Sequence, residues 1–332
     1  MSLQTGNRMS LLLAVCIAFA GFVATATAAA GADDWPVKPV RIIVPYAPGG
    51  ATDLLARLVA NSVSASLKQS FVVENRAGAG GAIGSEIVAK AVPDGYTLVA
   101  SGISSHVFSP AAGVDLYDPM KSFTHIALLG GAPAALVVHP SVQAKDVKEF
   151  LALARAQPGG LSYGSPGVGT YNHLMGELFR SKTGANLVHV SYKGGGPAVA
   201  DLVAGHIPAA FLILSTVAPQ IKAGKVRALA ISSVKRLPEF AGVPTMAQSG
   251  YPELTGTTWS GISGPAGMPP AIVTRLNAEI RKALKSADVR ERLQSDGNEP
   301  DDFDAGAFTE FVRKEINHWT PVVRMAGVKL GK

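Results

Sequence analysis

Two segments of this chain pass from a short apolar run through a glycine-rich turn straight into a helical pattern, and more than a hundred residues separate them. The first is Tyr46-Ala47-Pro48-Gly49-Gly50-Ala51-Thr52-Asp53, behind Val40-Arg41-Ile42-Ile43-Val44. The second is Gly164-Ser165-Pro166-Gly167-Val168-Gly169-Thr170, behind Leu161-Ser162-Tyr163. A helix start leaves backbone N–H groups unpaired and carries partial positive charge. Glycine lets an anion come close to those groups. Two such turns predict two lobes that each offer an oxyanion a seat, the design of a receptor that closes on a carboxylate.

Short apolar runs alternate with helical patterns along the whole chain, the signature of α/β layers. Strands are predicted at 40–45, 70–74, 96–101, 125–129, 134–139, 161–163, 187–190, 208–213, 226–232 and 259–263. Helices are predicted at 52–67, 82–91, 146–157, 169–183, 197–204, 216–223, 270–285, 286–295 and 306–327. The helix from Thr52 carries Leu54, Leu55, Leu58, Val59 and Val63 at helical spacing, and the last carries Phe308, Phe311, Val312, Ile316 and Trp319. Asp302 or Asp304 is placed to cap that last helix. Gly130-Gly131-Ala132-Pro133 and the stretch 226–245, with Pro238 and Pro244, read as two crossovers. They predict a discontinuous first lobe, 32–130 plus 236–332, and a continuous second lobe, 131–235. The fold class expected is α/β with two lobes, each a sheet flanked by helices, joined by a crossing-strand hinge.

The first 31 residues read as a cleaved secretory leader: Arg8, an apolar stretch from Leu11 to Val23, then small residues. The expected location is the periplasm. Cys16, the sole cysteine of the sequence, falls in that leader. The mature chain is then expected to have no disulfide, thiol chemistry or zinc–thiolate site. The net charge is +6, one unit of which is Arg8. Lysines and arginines are scattered without a basic stripe, which argues against nucleic acid and for a solvated surface.

Each candidate site residue has a plain structural alternative. Gly49, Gly50 and Thr52 form either an anion seat or an ordinary tight turn. Asp53 would repel an anion if it faced the seat, so it is expected to cap N–H groups or to hold an ammonium or a water. Ser165, Gly167, Gly169 and Thr170 repeat the same parts, with His173 one turn later read as structural. Lys193 stands beside Gly194-Gly195-Gly196 as an isolated positive charge or as a solvated lysine. Ser101, Ser104, Ser105 and His106 follow a strand at the sheet edge where α/β folds bind ligands, or form a polar turn before Pro110. Gly78 to Gly84 misses the dinucleotide pattern, with Ile83 where glycine is wanted. The nucleophile elbow fails at Tyr163, and H-E-x-x-H is absent. No catalytic residue, metal ligand or cofactor is expected. An exported hydrolase using Ser165 and His173, or a sensor feeding a signalling partner, are the alternatives.

Together these segments resemble the substrate-binding proteins of tripartite tricarboxylate transporters over nearly the whole mature chain. The resemblance rests on Val44 to Asp53, Val73 to Gly81, Pro93 to Leu98, Tyr163 to Thr170, Tyr192 to Ala198, Gly224 to Ala230 and Val243-Pro244-Thr245. It implies a two-lobed periplasmic binding protein fold and an extracytoplasmic receptor that carries an organic acid to membrane permease subunits, and a monomer is expected. It implies ligand contacts at Tyr46, Gly49, Gly50, Thr52 and Asp53 on one wall, and Ala47 and Pro48 of the same turn are candidates beside them. Ser165, Gly167, Gly169 and Thr170 form the other, with backbone amides and bridging waters holding a carboxylate. Ser109 departs from the asparagine that the family often has nearby.

Overall fold

Four of the five positions of Val40–Val44 (β1) are buried, so the strand has to lie in a sheet covered on both faces. The computed structural model describes residues 34–46, 48–49, 51–192, 194–295 and 302–328. The expected leader and the candidate ligand residues Ala47, Gly50 and Lys193 lie outside the described residues.

The strands after β1 are β2 (Phe71–Asn75), β3 (Thr97–Gly102), β4 (Phe123–Gly130), β5 (Ala134–Val138), β6 (Leu161–Ser165), β7 (Leu187–Ser191), β8 (Ala209–Ile213), β9 (Arg227–Ile231) and β10 (Ser260–Pro265). The longer helices are α1 (Ala51–Leu67), α2 (Ala82–Ala89), α3 (Val147–Ala156), α4 (Tyr171–Thr183), α5 (Gly195–Ala204), α6 (Leu214–Lys222), α7 (Pro270–Lys285), α8 (Ala287–Ser295) and α9 (Ala305–Met325). Each has its counterpart in the sequence reading, with ends displaced by a residue or two. Asp304, not Asp302, caps α9, accepting from Ala307 N–H at 2.7 Å.

The strands sort into two five-stranded sheets, β2-β1-β3-β10-β4 and β7-β6-β8-β5-β9. The two share one plan. β1 lies parallel to β2 and β3, and β6 lies parallel to β7 and β8. Each sheet then adds antiparallel partners, β10 between β3 and β4 in the first and β5 between β8 and β9 in the second. Each glycine-rich turn therefore leaves the carboxyl end of an interior parallel strand, where helix dipoles and free amides converge.

The chain passes between the sheets at two antiparallel segments. Ala132 O accepts from Thr258 N–H at 2.9 Å, and Pro133 bridges Thr257. A Cβ at Gly131 would stand 1.6 Å from Thr258 O, so no other residue permits this crossing. The sequence reading puts the second crossing near 236. The structure keeps the following stretch with the second sheet: Leu237 and Phe240 join the core around β5 and β8, and Met246 N–H donates to Ile231 O. The prolines at 238 and 244 break local structure there without leaving the sheet. One apolar core runs through both halves, from Phe108 and Leu128 to Leu136 and Leu174, with Phe308 and Trp319 of α9 between them.

One expected turn is a helix. Ser104–Phe108 winds with a wider π-type turn and runs into Ser109–Ala111. The serines suggested a polar loop, but Ile103, Val107 and Phe108 bury one face, and that burial decides the local fold.

Candidate functional site

The first turn is held by charge. Asp53, 2 % exposed, receives Gly49 N–H at 2.9 Å and Arg57 Nε at 3.1 Å on one oxygen. Its other oxygen receives Asn75 Nδ2 at 2.8 Å and lies 3.0 Å from Arg57 Nη2. Asn75 also donates to Tyr46 O at 3.0 Å and accepts from Arg57 at 2.9 Å. Burial works to raise the Asp53 pKa, but the donors from Arg57, Gly49 and Asn75 outweigh it and hold the carboxyl at about 2. All four acceptor directions of the carboxylate are thus taken, and its charge is compensated within the turn. Asn75, at the end of β2, was not singled out as a site residue. Its signal was the position beside the glycine-rich 78–81 segment, next to the strand that carries the turn.

Tyr46 lies across the inner wall. Its hydroxyl accepts from Ser105 N–H at 3.2 Å, and the Ser104 and Ser105 side chains lie within reach of it. Burial raises its pKa, so the phenol keeps its proton. The ring packs so closely that a Cβ at Gly81 would stand 2.9 Å from it. Thr52, in the first turn of α1, pairs its hydroxyl with Ser260 Oγ at 2.8 Å, at the start of β10. Two hydroxyls sharing one hydrogen bond leave one O–H free to donate to something else.

The remaining serines support this wall from behind. Ser101 is fully buried, with its Oγ 2.9 Å from Ser263 Oγ, which lies 3.0 Å from His125 Nδ1. Ser105 is also fully buried, its Oγ 2.9 Å from His106 Nδ1. Burial pushes the His106 pKa well down and lowers His125 to about 4, so both rings are neutral near pH 7. Ser109 reaches Ala79 O and Gly80 O at 3.3 and 3.2 Å.

The second turn is held by neutral groups. Thr170 caps α4, its Oγ1 accepting from His173 N–H at 3.3 Å and donating to Gly167 O at 2.7 Å. Ser165 Oγ, fully buried, accepts from Gly167 N–H at 3.3 Å and sits 2.7 Å from His189 Nε2. Gly169, at φ +78°, adopts a backbone that side chains rarely allow and turns its N–H onto His173 Nδ1 at 3.2 Å. The rings of His173 and His189 lie 4.2 Å apart. Burial lowers both histidines, His189 to about 4. The hydroxyls and two of the glycine amides are thus used inside the turn. The amides of Tyr171 and Asn172, first in α4, are the ones a helix leaves over.

The two turns have no direct hydrogen bond or ring contact among the described residues. Both are tied to one segment instead. A Cβ at Gly256 would stand 3.1 Å from the Tyr171 hydroxyl, while Ser260, four residues on, holds Thr52. Tyr171 and Trp319 rings meet at 5.3 Å beside it.

A family model described as the tripartite tricarboxylate transporter family receptor matches residues 55–328. The chain belongs to that family. It is 39 % identical over 329 residues to Protein BugT of Bordetella pertussis, covering 98 % of this chain and 99 % of that one. A solved periplasmic transporter is 41 % identical, with TM-score 0.77 over 90 % of this chain and 100 % of its own. The structure of R. palustris Rpa4515 with adipate is 34 % identical, again with TM-score 0.77, over 89 % and 99 %. The receptor thus shares the two-lobed architecture of periplasmic binding proteins, and its family is one of solute receptors, not of enzymes. No helix among the described residues is long and apolar enough to cross a membrane.

Proposed function

We propose that the receptor holds one carboxylate of a small organic acid between its two glycine-rich turns and delivers it to a membrane permease. The observation that carries this is the neutrality of both turns. Each presents helix-start amides beside hydroxyls, and the carboxylates near them are engaged, Asp53 by Gly49, Arg57 and Asn75 and Glu177 by Arg180 and the Tyr163 hydroxyl. An anion therefore meets oriented dipoles and no repelling charge, and those dipoles strengthen once closure excludes water.

The contacts we assign are Tyr46, Pro48, Gly49, the Thr52–Ser260 pair and Ser104 on one wall, with Ala47 and Gly50 retained from the sequence. The other wall is Gly167, Gly169, Thr170 and the start of α4, with Lys193 retained in the same way. Asp53, Ser101, Ser105 and Ser165 act as supports behind the ligand. The lobes we take as 38–131 with 257–328, and 132–256, because the later stretch packs on the second sheet. With one carboxylate held between the turns, an organic acid whose second carboxyl extends beyond them is the fitting class, in keeping with the adipate of the R. palustris relative. Export to the periplasm after loss of the leader, and a monomer, belong to the same proposal. The receptor performs no catalysis: Ser165 is fully buried against His189 and Gly167, out of reach of an ester.

Calorimetric titration with adipate, malate, citrate and benzoate tests the reading. We expect micromolar or tighter binding for at least one diacid. Heats of dilution alone across the panel would sink it.

A further inference from the structure

Beneath the second turn lies a pair of imidazoles that the proposed contacts do not use. His173 Nδ1 receives Gly169 N–H, so its proton resides on Nε2. His189, half-buried on β7, reaches Ser165 Oγ, the residue that opens the turn. The rings are in contact at 4.2 Å, so adding a proton to one resists adding it to the other.

His173 is the third residue of α4. A cation there faces the positive end of the helix dipole and is disfavoured. An anion seated at the same helix start reverses that, because it compensates both the dipole and the imidazolium. The two occupancies then reinforce each other, and the effect is reciprocal: whatever proton uptake the anion favours, protonation returns as affinity.

We infer that the His173–His189 pair links anion capture at the second turn to uptake of a proton, so that the receptor binds its ligand more tightly as pH falls. This rests on the carboxylate reading above. Protonating His173 Nδ1 also ends its hydrogen bond from Gly169, which frees one more turn amide for the anion. The charged groups facing the pair are few. Glu177, one turn on in α4, favours protonation of both rings, and Arg180 opposes it at His173. Glu177 is already engaged by Arg180 at 2.6 Å and by the Tyr163 hydroxyl of β6 at 2.9 Å. β5 and β8 present no titratable side chain. From α9, Glu315 faces Tyr171, and His318 faces Lys182. The 252–254 segment reaches α4 through Tyr251, which lies against Phe179. The pair starts out neutral because burial holds both rings down, so it has protons to gain.

The experiment follows histidine Cε1 signals by NMR from pH 4 to 8, without ligand and saturated with adipate, or with whichever acid of the panel binds. Dissociation constants are measured over the same range for the wild type and for His189→Asn and His173→Gln. We expect one ring of the pair to titrate about one pH unit higher when saturated. The wild-type affinity, divided by that of a variant to cancel the ligand's own titration, should rise about tenfold in all as pH falls through the bound and then the free titration of that ring. Should the variants fail to fold, the wild-type ring titrations decide alone. Binding with unmoved ring titrations overturns this inference and leaves the carboxylate reading intact. No binding by any acid at any pH overturns both.

Discussion

The two turns share a topology and differ in what holds them. The first is clamped by a buried carboxylate with donors from Gly49, Arg57 and Asn75. The second is clamped by Thr170, Ser165 and two neutral imidazoles. The first holds its charge state across the physiological range, since its carboxyl titrates near pH 2. The second is backed by two imidazoles that burial lowers, His189 to about 4. One plan of strand, turn and helix thus yields one turn clamped by a carboxylate and one backed by imidazoles, and the difference lies in the side chains placed behind the backbone.

The strongest way to break this comparison is Asp53→Asn. The change removes a buried carboxylate from its donors and puts an amide N–H or a weaker acceptor against Gly49, while Arg57, half exposed, turns to solvent. We expect a loss of about 2 kcal/mol in chemical denaturation. The sign with pH is fixed by the lowered carboxyl. Asp53 contributes fully above its unfolded value of 3.8, and the contribution fades as pH drops towards 2. The variant should lack that acid limb, and equal stability at pH 7 would remove the clamp from the account.

A second change clears the pH range in which the second turn titrates. Glu315 of α9 is raised to about 7 by burial, against the opposing pull of Trp259 and Trp319. The folded state then binds its proton more tightly than the unfolded chain, so stability is full below pH 4.5 and is lost as pH rises to about 7. Glu315→Gln should gain about 2 kcal/mol over wild type at pH 8 and nothing at pH 4. Melting curves at the two pH values check it, and parallel curves would contradict it.

Gly169→Ala tests the backbone of the second turn. At φ +78° an alanine costs about 1–2 kcal/mol. The variant should also weaken acid binding, measured by calorimetry, more than Gly184→Ala at the C-cap of α4, where φ is +65°. Equal effects would mean that the turn contributes strain and no contact. The smallest effect on stability belongs to Thr52→Val, which removes the Thr52–Ser260 bond at the first wall. It should cost about 1 kcal/mol or less in stability yet several-fold in affinity. An unchanged dissociation constant would take the hydroxyl pair out of the site.

Much of this was legible in the chain. The α/β alternation and the two turns follow from local spacing, because strands and helices impose periods of two and 3.6 on apolar residues; the last helix's cap was narrowed to Asp302 or Asp304, and the structure chose Asp304. The helical path at 104–108 was hidden, since its serines speak for a loop while Val107 and Phe108 are buried by partners distant in sequence. The crossing near 256 was hidden for the same reason: prolines at 238 and 244 mark breaks in local structure, not a change of sheet.

By itself the sequence determined where strands end, where helices begin and that glycine would expose amides between them, since each of these depends on neighbours a few positions away. Tertiary structure alone decided which polar atoms remain for a ligand. Asp53 meets Asn75 across 22 positions, Ser165 meets His189 across 24, and Thr52 meets Ser260 across 208. A hydroxyl or carboxylate has only a few acceptor directions, and partners brought in by folding either fill them or leave them open.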